Sequence, residues 1–276
     1  MDYKKYKKED SATYCLGGFP CIELLNHKPH SVKEIILHDK ASKSKELENI
    51  KKIAKEHKIK ISTNSKLIEK ISGKQNIYIM AVLNKYSQEA DHTQNQVLLV
   101  NPSDMGNLGT IMRVMLGFDY KNLSIIKPCI DIFDPKVIRA SMGAIFKLNI
   151  QLFDTFEDFM KINHNHMYPF MLQSNEKLQD LQMRTYPHTL IFGNESHGLD
   201  DIFLNYGTPL IIKHSHEIDS LNLSMSVGIA LYEFTKKWAF CYAHFFLVFF
   251  ILKSSPSRLI LRLCFLCINL LNILSP

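Results

Sequence analysis

Val97-Leu98-Leu99-Val100 is a run of four apolar residues with no polar residue among them. Successive side chains of a strand point to opposite faces. The segment therefore has to be covered above and below, as strands of parallel sheets are. The rhythm continues downstream: Leu123 to Ile126, Ile150 to Phe153, Tyr168 to Leu172, Thr189 to Phe192 and Pro209 to Ile212 read as further strands of one parallel sheet. Helices are expected at about Asn107 to Leu116, Lys136 to Ala144 and Thr155 to Ile162. Strands and helices alternating in this way predict an α/β fold.

Much of the polar chemistry falls in three stretches. The first runs from Asn101 to Arg113, directly after the apolar run, and the second is Leu190-Ile191-Phe192-Gly193-Asn194-Glu195-Ser196-His197-Gly198-Leu199. The third runs from Asp219 to Phe234 and reads as a helix of about Ser220 to Trp238. Asp219, Ser220, Asn222 and Ser224 crowd its front, in the residue types that cap free backbone N–H groups or meet a ligand. Behind them Leu221, Met225, Ile229 and Tyr232 recur at helical spacing and are expected to face the core. Glycines at 193 and 198 let a ligand approach the backbone and permit positive φ.

In this order the stretches resemble the motifs of the SpoU/TrmH family of RNA ribose methyltransferases, in the SPOUT superfamily. Asn107, Gly109 and Arg113 match N-x-G-x-x-x-R; Gly193, Glu195 and Gly198 match G-x-E-x-x-G; Ser220 to Ser224 match S-L-N-[VL]-S. Arg139-Ala140-Ser141-Met142-Gly143-Ala144 is also similar to a stretch found in the family. The resemblance implies a C-terminal α/β trefoil-knot domain, one of the rare exceptions to unknotted chains, preceded by a small α/β substrate-binding domain. It also implies methyl transfer from S-adenosylmethionine to a ribose 2′-hydroxyl of rRNA or tRNA, by a homodimer and without a metal.

The roles implied for individual residues follow the motifs. Arg113 comes to the catalytic centre, orienting the target nucleotide through its phosphate and promoting loss of the 2′-hydroxyl proton. Because guanidinium stays charged, that role is electrostatic positioning. Asn107, at the start of the helix, is expected to bind phosphate or ribose, and it is six residues from Arg113, not strictly on one face. Glu195 holds its loop or the substrate, and Asn222 and Ser224 are the polar contributors of the third motif. Gly193, Ile212, Ser220 and Leu221 are the implied cofactor contacts. The family often has proline after the position of Ile212, where this chain has Lys213, a departure that bears on the wall around adenine. A non-catalytic RNA-binding homologue is the competing reading; the presence of every matched polar residue argues against it.

Residues 1–90 carry 18 Lys/Arg against 11 Asp/Glu, a net of +7, whereas residues 91–238 carry 12 against 16, a net of −4. A basic front beside a mildly acidic back suggests that the front meets a polyanion. A turn at Leu16 to Phe19 leads into a short helix ending near Asn26-His27. Strands at Val32 to His38, Ile59 to Ser62 and Ile77 to Leu83, with helices at Lys45 to His57 and Ser65 to Ile71, make residues 1–84 a small α/β domain. Residues 85–96 are polar and aperiodic and read as a linker, and the resemblance implies that residues 97–238 are the methyltransferase domain.

The six cysteines form no disulfide framework, and Cys264-x-x-Cys267 lacks the second half of a zinc site. His197, His214 and His216 have no partners at metal-ligand spacing. No secretory signal is read at the charged N-terminus, and a reducing cytoplasm is expected. Residues 239–276 form an apolar tail with runs shorter than the roughly 20 residues that span a bilayer. The tail is expected to lie outside the family fold, with a membrane- or partner-associating hairpin as the alternative.

Overall fold

The computed structural model describes residues 3–42, 44–73, 76–181 and 184–236. The compact unit ending at Leu231 contains two sheets. The first is built from β1 (Ala12–Leu16), β2 (Val32–Leu37), β3 (Lys60–Thr63) and β4 (Ile79–Asn84), in the order β1-β4-β2-β3. β4 runs antiparallel to both neighbours, and β2 and β3 are parallel. Helices α1 (Gly18–His27), α2 (Lys45–Glu56) and α3 (Ser65–Ser72) connect these strands. Ser44 caps α2 by accepting from the Leu47 amide, and Asn64 caps α3 by accepting from that of Leu67. Tyr14, Ile36, Ile68, Met80 and Val82 form part of the core beneath the sheet.

β1 is a strand where only a turn into a helix was expected. The glycine pair Gly17-Gly18 dominates the local pattern, but Ala12 to Leu16 pairs along its whole length with β4, from Ala12↔Asn84 to Leu16↔Met80. That pairing is invisible to local periodicity.

The second sheet holds β5 (Gln96–Val100), β6 (Asn122–Ile126), β7 (Asn149–Phe153), β8 (His166–Pro169) and β9 (His188–Phe192). Its order is β7-β6-β5-β9-β8, and every pairing is parallel. All five residues of β5 are buried, as a strand at the centre of a covered parallel sheet requires. Helices α4 (Met105–Gly117), α5 (Pro135–Ala140) and α6 (Phe156–Met160) follow β5, β6 and β7. Residues 223–231 are helical again, and we label them α7.

Several expectations are corrected. Pro209 to Ile212 is no sixth strand: it touches the sheet margin only through isolated parallel bridges, Phe170↔Leu210 and Lys177↔Ile211. The helix expected to reach Ala144 stops at Ala140. Met142 (φ 50) and Gly143 (φ 83) turn into the left-handed region, and a 3-10 turn over Ala144–Phe146 follows. The segment 85–96, read as a linker, makes fixed hydrogen bonds of its own. Lys85 pairs with Asp131 at 2.8 Å, and the amides of Ala90 and Asp91 donate to the side chains of Gln151 and Asn122. Polar composition there reflects fixed hydrogen bonds as well as solvent.

The third-motif helix also differs in phase. Leu223, Val227, Ala230 and Leu231 are buried, whereas Met225 is 59% and Tyr232 51% exposed. The sequence carries two apolar stripes, and the other one is buried; beside it a Cβ at Gly228 would lie 3.6 Å from the Val114 side chain of α4. In the second unit the described residues 232–236 are helical, with Lys236 3.6 Å from Glu233. The apolar tail 239–276, Trp238 and the Cys264/Cys267 pair lie outside the described residues. Among the described residues no helix is long and apolar enough to cross a membrane.

Candidate active site

β5 has β6 and then β7 on one side, and β9 and then β8 on the other. The strand order reverses between β5 and β9, and the carboxyl ends of strands at such a reversal are the usual ligand position in open α/β sheets. The loops leaving those ends are residues 101–104 and 193–198, the first and second motif stretches.

The loop after β5 is set by Asn101, which takes a left-handed φ of 52 that asparagine tolerates better than most residues. Its carbonyl accepts from Asn194 Nδ2 at 2.7 Å, tying the two loops together. Asp104 then caps α4, accepting from the Asn107 amide at 2.7 Å.

Glu195 arrives from the β9 loop and binds the same helix start. Its Oε2 accepts from the amide and hydroxyl of Ser103 at 2.9 and 2.7 Å. Its Oε1 accepts from the Asp104 amide at 3.1 Å and from Asn107 Nδ2 at 3.4 Å. Partial burial works against the charge of this carboxylate, but the bonds from Ser103 and Asp104 outweigh it, and the pKa falls below the ordinary value. The positive end of α4 favours the same charge.

The third motif closes the chain. Asn107 Oδ1 accepts from Asn222 Nδ2 at 3.1 Å, and Asn222 Oδ1 accepts from the amide and hydroxyl of Ser224 at 2.9 and 2.7 Å. Asn222 thereby caps α7. Glu195, Asn107, Asn222 and Ser224, more than a hundred residues apart at the extremes, form one continuous hydrogen-bond chain.

Two motif glycines are explained by packing. A Cβ on Gly193 would lie 2.1 Å from the Gly198 carbonyl carbon, where residues 194 and 198 exchange backbone hydrogen bonds of 3.1 and 2.9 Å. A Cβ on Gly109 would lie 2.4 Å from that of Ala140, so α4 and α5 can meet only at a glycine. Of the expected cofactor contacts, the amides of Ile212, Ser220 and Leu221 enter no hydrogen bond among the described residues and are open to an acceptor. The Ile212 carbonyl accepts from His214 Nδ1 at 2.8 Å. Lys213 uses the N–H that proline would lack, donating to Gln179 Oε1 at 3.3 Å.

Arg113 stands apart. It is exposed and makes no hydrogen bond or ion pair among the described residues. Six residues of helix carry it about 9 Å along the axis from Asn107. There it lines a cleft of about 340 Å³ together with Phe19, Leu116, Met142 and Lys147. Sequence reasoning passed over Asn101, Ser103, Asp104 and Asn194. Ser103 and Asp104 did carry a signal, since short polar residues just before a helix are capping residues. Among the described residues, no three His, Cys, Asp or Glu side chains are grouped so as to hold a metal ion.

A covered parallel sheet with polar loops meeting at its strand-order reversal defines the class, an α/β protein of parallel-sheet type. Residues 94–232 match the model of the SpoU rRNA Methylase family, and the chain belongs to that family. Among curated proteins, it is 28% identical to an uncharacterized tRNA/rRNA methyltransferase of Synechocystis over 153 residues, 54% of this chain and 56% of that one. It is also 28% identical to the 23S rRNA (adenosine(1067)-2′-O)-methyltransferase of Streptomyces azureus, over 54% of this chain and 57% of that one. The chain thus spans about half the length of the curated relatives it matches. The fold is shared with the SpoU methyltransferase AviRb of Streptomyces viridochromogenes in complex with AdoMet. The TM-score is 0.71 at 18% identity, covering 83% of this chain and 91% of that one.

Proposed function

We propose that this protein transfers a methyl group from S-adenosylmethionine to a ribose 2′-hydroxyl of ribosomal or transfer RNA. The observation that carries this reading is the hydrogen-bond chain from Glu195 through Asn107 to Asn222 and Ser224, which gathers three distant motif loops at the sheet's strand-order reversal. The family match and the Streptomyces azureus relative, named as a 2′-O-methyltransferase, support the same reaction.

The cofactor would supply an electrophilic sulfonium methyl. Gly193, Ile212, Ser220 and Leu221 would hold it: the amides of the last three are open to acceptors, and Gly193 keeps its loop narrow. Arg113, unpaired among the described residues while Glu23 of the same cleft is bonded to Lys147, would draw in the phosphate of the target nucleotide and align its 2′-oxygen, a contribution of positioning and charge. The oxygen gains the methyl and loses its proton to phosphate or solvent. Glu195 acts by clamping the start of α4, and Asn107 and Asn222 by keeping a fixed orientation there.

Residues 1–84 form the RNA-gripping domain in this proposal, joined through 85–96 to a methyltransferase domain of residues 97–238. Lysines on α2, among them Lys51, Lys52 and Lys55, would meet RNA by backbone charge and shape. A knotted C-terminal segment, a homodimer and a cytoplasmic location complete the proposal.

The test is S-adenosylmethionine uptake by calorimetry, with transfer of its labelled methyl to deproteinised total RNA and mapping of the methylated ribose. Uptake with 2′-O-methylation is expected. No uptake would end the enzymatic reading, and RNA binding without transfer would leave a non-catalytic homologue.

A further inference from the structure

The Arg113 cleft is laid out by glycines at close approaches. Gly109 brings α4 against the end of α5, and Arg113 lies one turn further along the same face of α4. Gly143 does the same for the four-stranded half of the molecule: a Cβ there would lie 2.7 Å from that of Glu23 and 3.3 Å from the Pro20 backbone. The left-handed turn at Met142 and Gly143 is thus pressed onto α1. The effect is to hold Phe19, near the start of α1, over the cleft that Arg113 lines.

The chemistry of the cleft is mixed in a particular way. Phe19 is 48% exposed and Met142 39% exposed, so an aromatic and a thioether face open space. Arg113 brings a cation with no ion pair among the described residues, and Lys147 a second that is shared with the largely buried Glu23. The cleft of about 340 Å³ is near the lower end of the roughly 300–1,000 Å³ typical of small-ligand pockets, room for one nucleotide. Single-stranded nucleic acid is held by this combination, aromatic faces for bases and cations for the backbone.

We propose that the cleft seats one unstacked RNA nucleotide, its base on the Phe19 ring and its phosphate at Arg113, so that Phe19 is a substrate-positioning residue supplied from the first sheet's domain. The proposal rests on the methyltransferase reading for its biological meaning, but its physical content is RNA binding. An apolar ring beside a cation also suits a second copy of the chain; the positive charge and single-nucleotide volume favour RNA.

The test compares wild type, Phe19→Ala and Phe19→Tyr for binding of a fluorescein-labelled, mixed-sequence 12-nucleotide RNA at several salt concentrations. Cofactor uptake and sedimentation are measured on the same samples. Phe19→Ala should weaken RNA binding roughly 5- to 150-fold, the range for one lost base stack, and Phe19→Tyr should restore most of it. The salt dependence should be unchanged, because no charge is removed. In contrast, Arg113→Ala should lower the salt slope by about one phosphate contact. Unchanged RNA affinity in Phe19→Ala would overturn the proposal. So would a loss of affinity that follows a change in oligomeric state, which would mark the cleft as an interface between copies. Failure of wild type to take up S-adenosylmethionine would remove the enzymatic reading only, leaving the Phe19 comparison to be decided by its own RNA data.

Discussion

The two ends of α4 differ sharply. At its start Asn107 is bonded through both polar side-chain atoms, to Glu195 and Asn222, its amide donates to Asp104, and the amides of Ser103 and Asp104 donate to Glu195. Two turns later Arg113 projects from the same helix into an open cleft with no bonded partner among the described residues. A rigid, satisfied end suits a small ligand whose position must be held closely. An exposed cation suits a large, charged ligand that brings its own acceptors. The same helix carries both because its start is held by loops from three motifs, while its later turns need only pack against α5 and α7.

The contrast makes specific predictions. Arg113→Ala should lower methyl transfer about 100-fold or more, the scale for losing one charge-stabilising donor in a transition state. Cofactor uptake and denaturation midpoint should stay at wild-type values; a fall in stability would break the comparison. Gly193→Ala should behave in the opposite manner, because its Cβ would overlap the backbone of Gly198. Overpacking of that kind costs about 1–3 kcal/mol, to be read as a lower urea midpoint together with weakened S-adenosylmethionine uptake.

Glu195→Gln should be milder. The carboxamide keeps the shape but turns one acceptor into a donor facing Ser103 or Asp104. Charged hydrogen bonds are worth about 1.5–3 kcal/mol, and solvent access at this loop should hold the loss to about 1 kcal/mol. The smallest effect is its pH dependence. The folded-state pKa of Glu195 lies below its ordinary 4.5, so its contribution is fully present above that value and is lost as pH falls through the folded pKa. The stability difference between wild type and Glu195→Gln, followed by urea denaturation, should be constant near neutrality and shrink below about pH 4.5. A difference that grew on acidification would contradict the clamp.

Legibility followed the range of the interactions involved. The alternation after Val97 predicted β5, β6, β7 and β9 to within a residue or two, because each is a local apolar run that parallel packing buries on both faces. Helices α2 and α3 were equally plain from local pattern, and their caps, Ser44 and Asn64, were found only in the structure. Pro209 to Ile212 looked like a strand because its composition suits one, but it finds only isolated bridges at the sheet's margin. The phase of α7 was not legible either. Met225 and Tyr232 share the apolar character of Leu223 and Val227, and tertiary packing decides which stripe is buried. At the site, the motif residues were readable one by one, but the bond from Asn107 to Asn222 was not.

The sequence by itself determined the types of element, their order, and which short polar stretches bear chemistry, since these depend on periodicity and on residues a few positions apart. Only the tertiary structure decided that Glu195 binds Ser103, Asp104 and Asn107 at the start of α4, that Arg113 lines a cleft with Phe19, and that Gly109 and Gly193 are needed for close contact. Those facts arise where separate segments meet. Their strength depends on distances of a few ångströms, which no local pattern encodes.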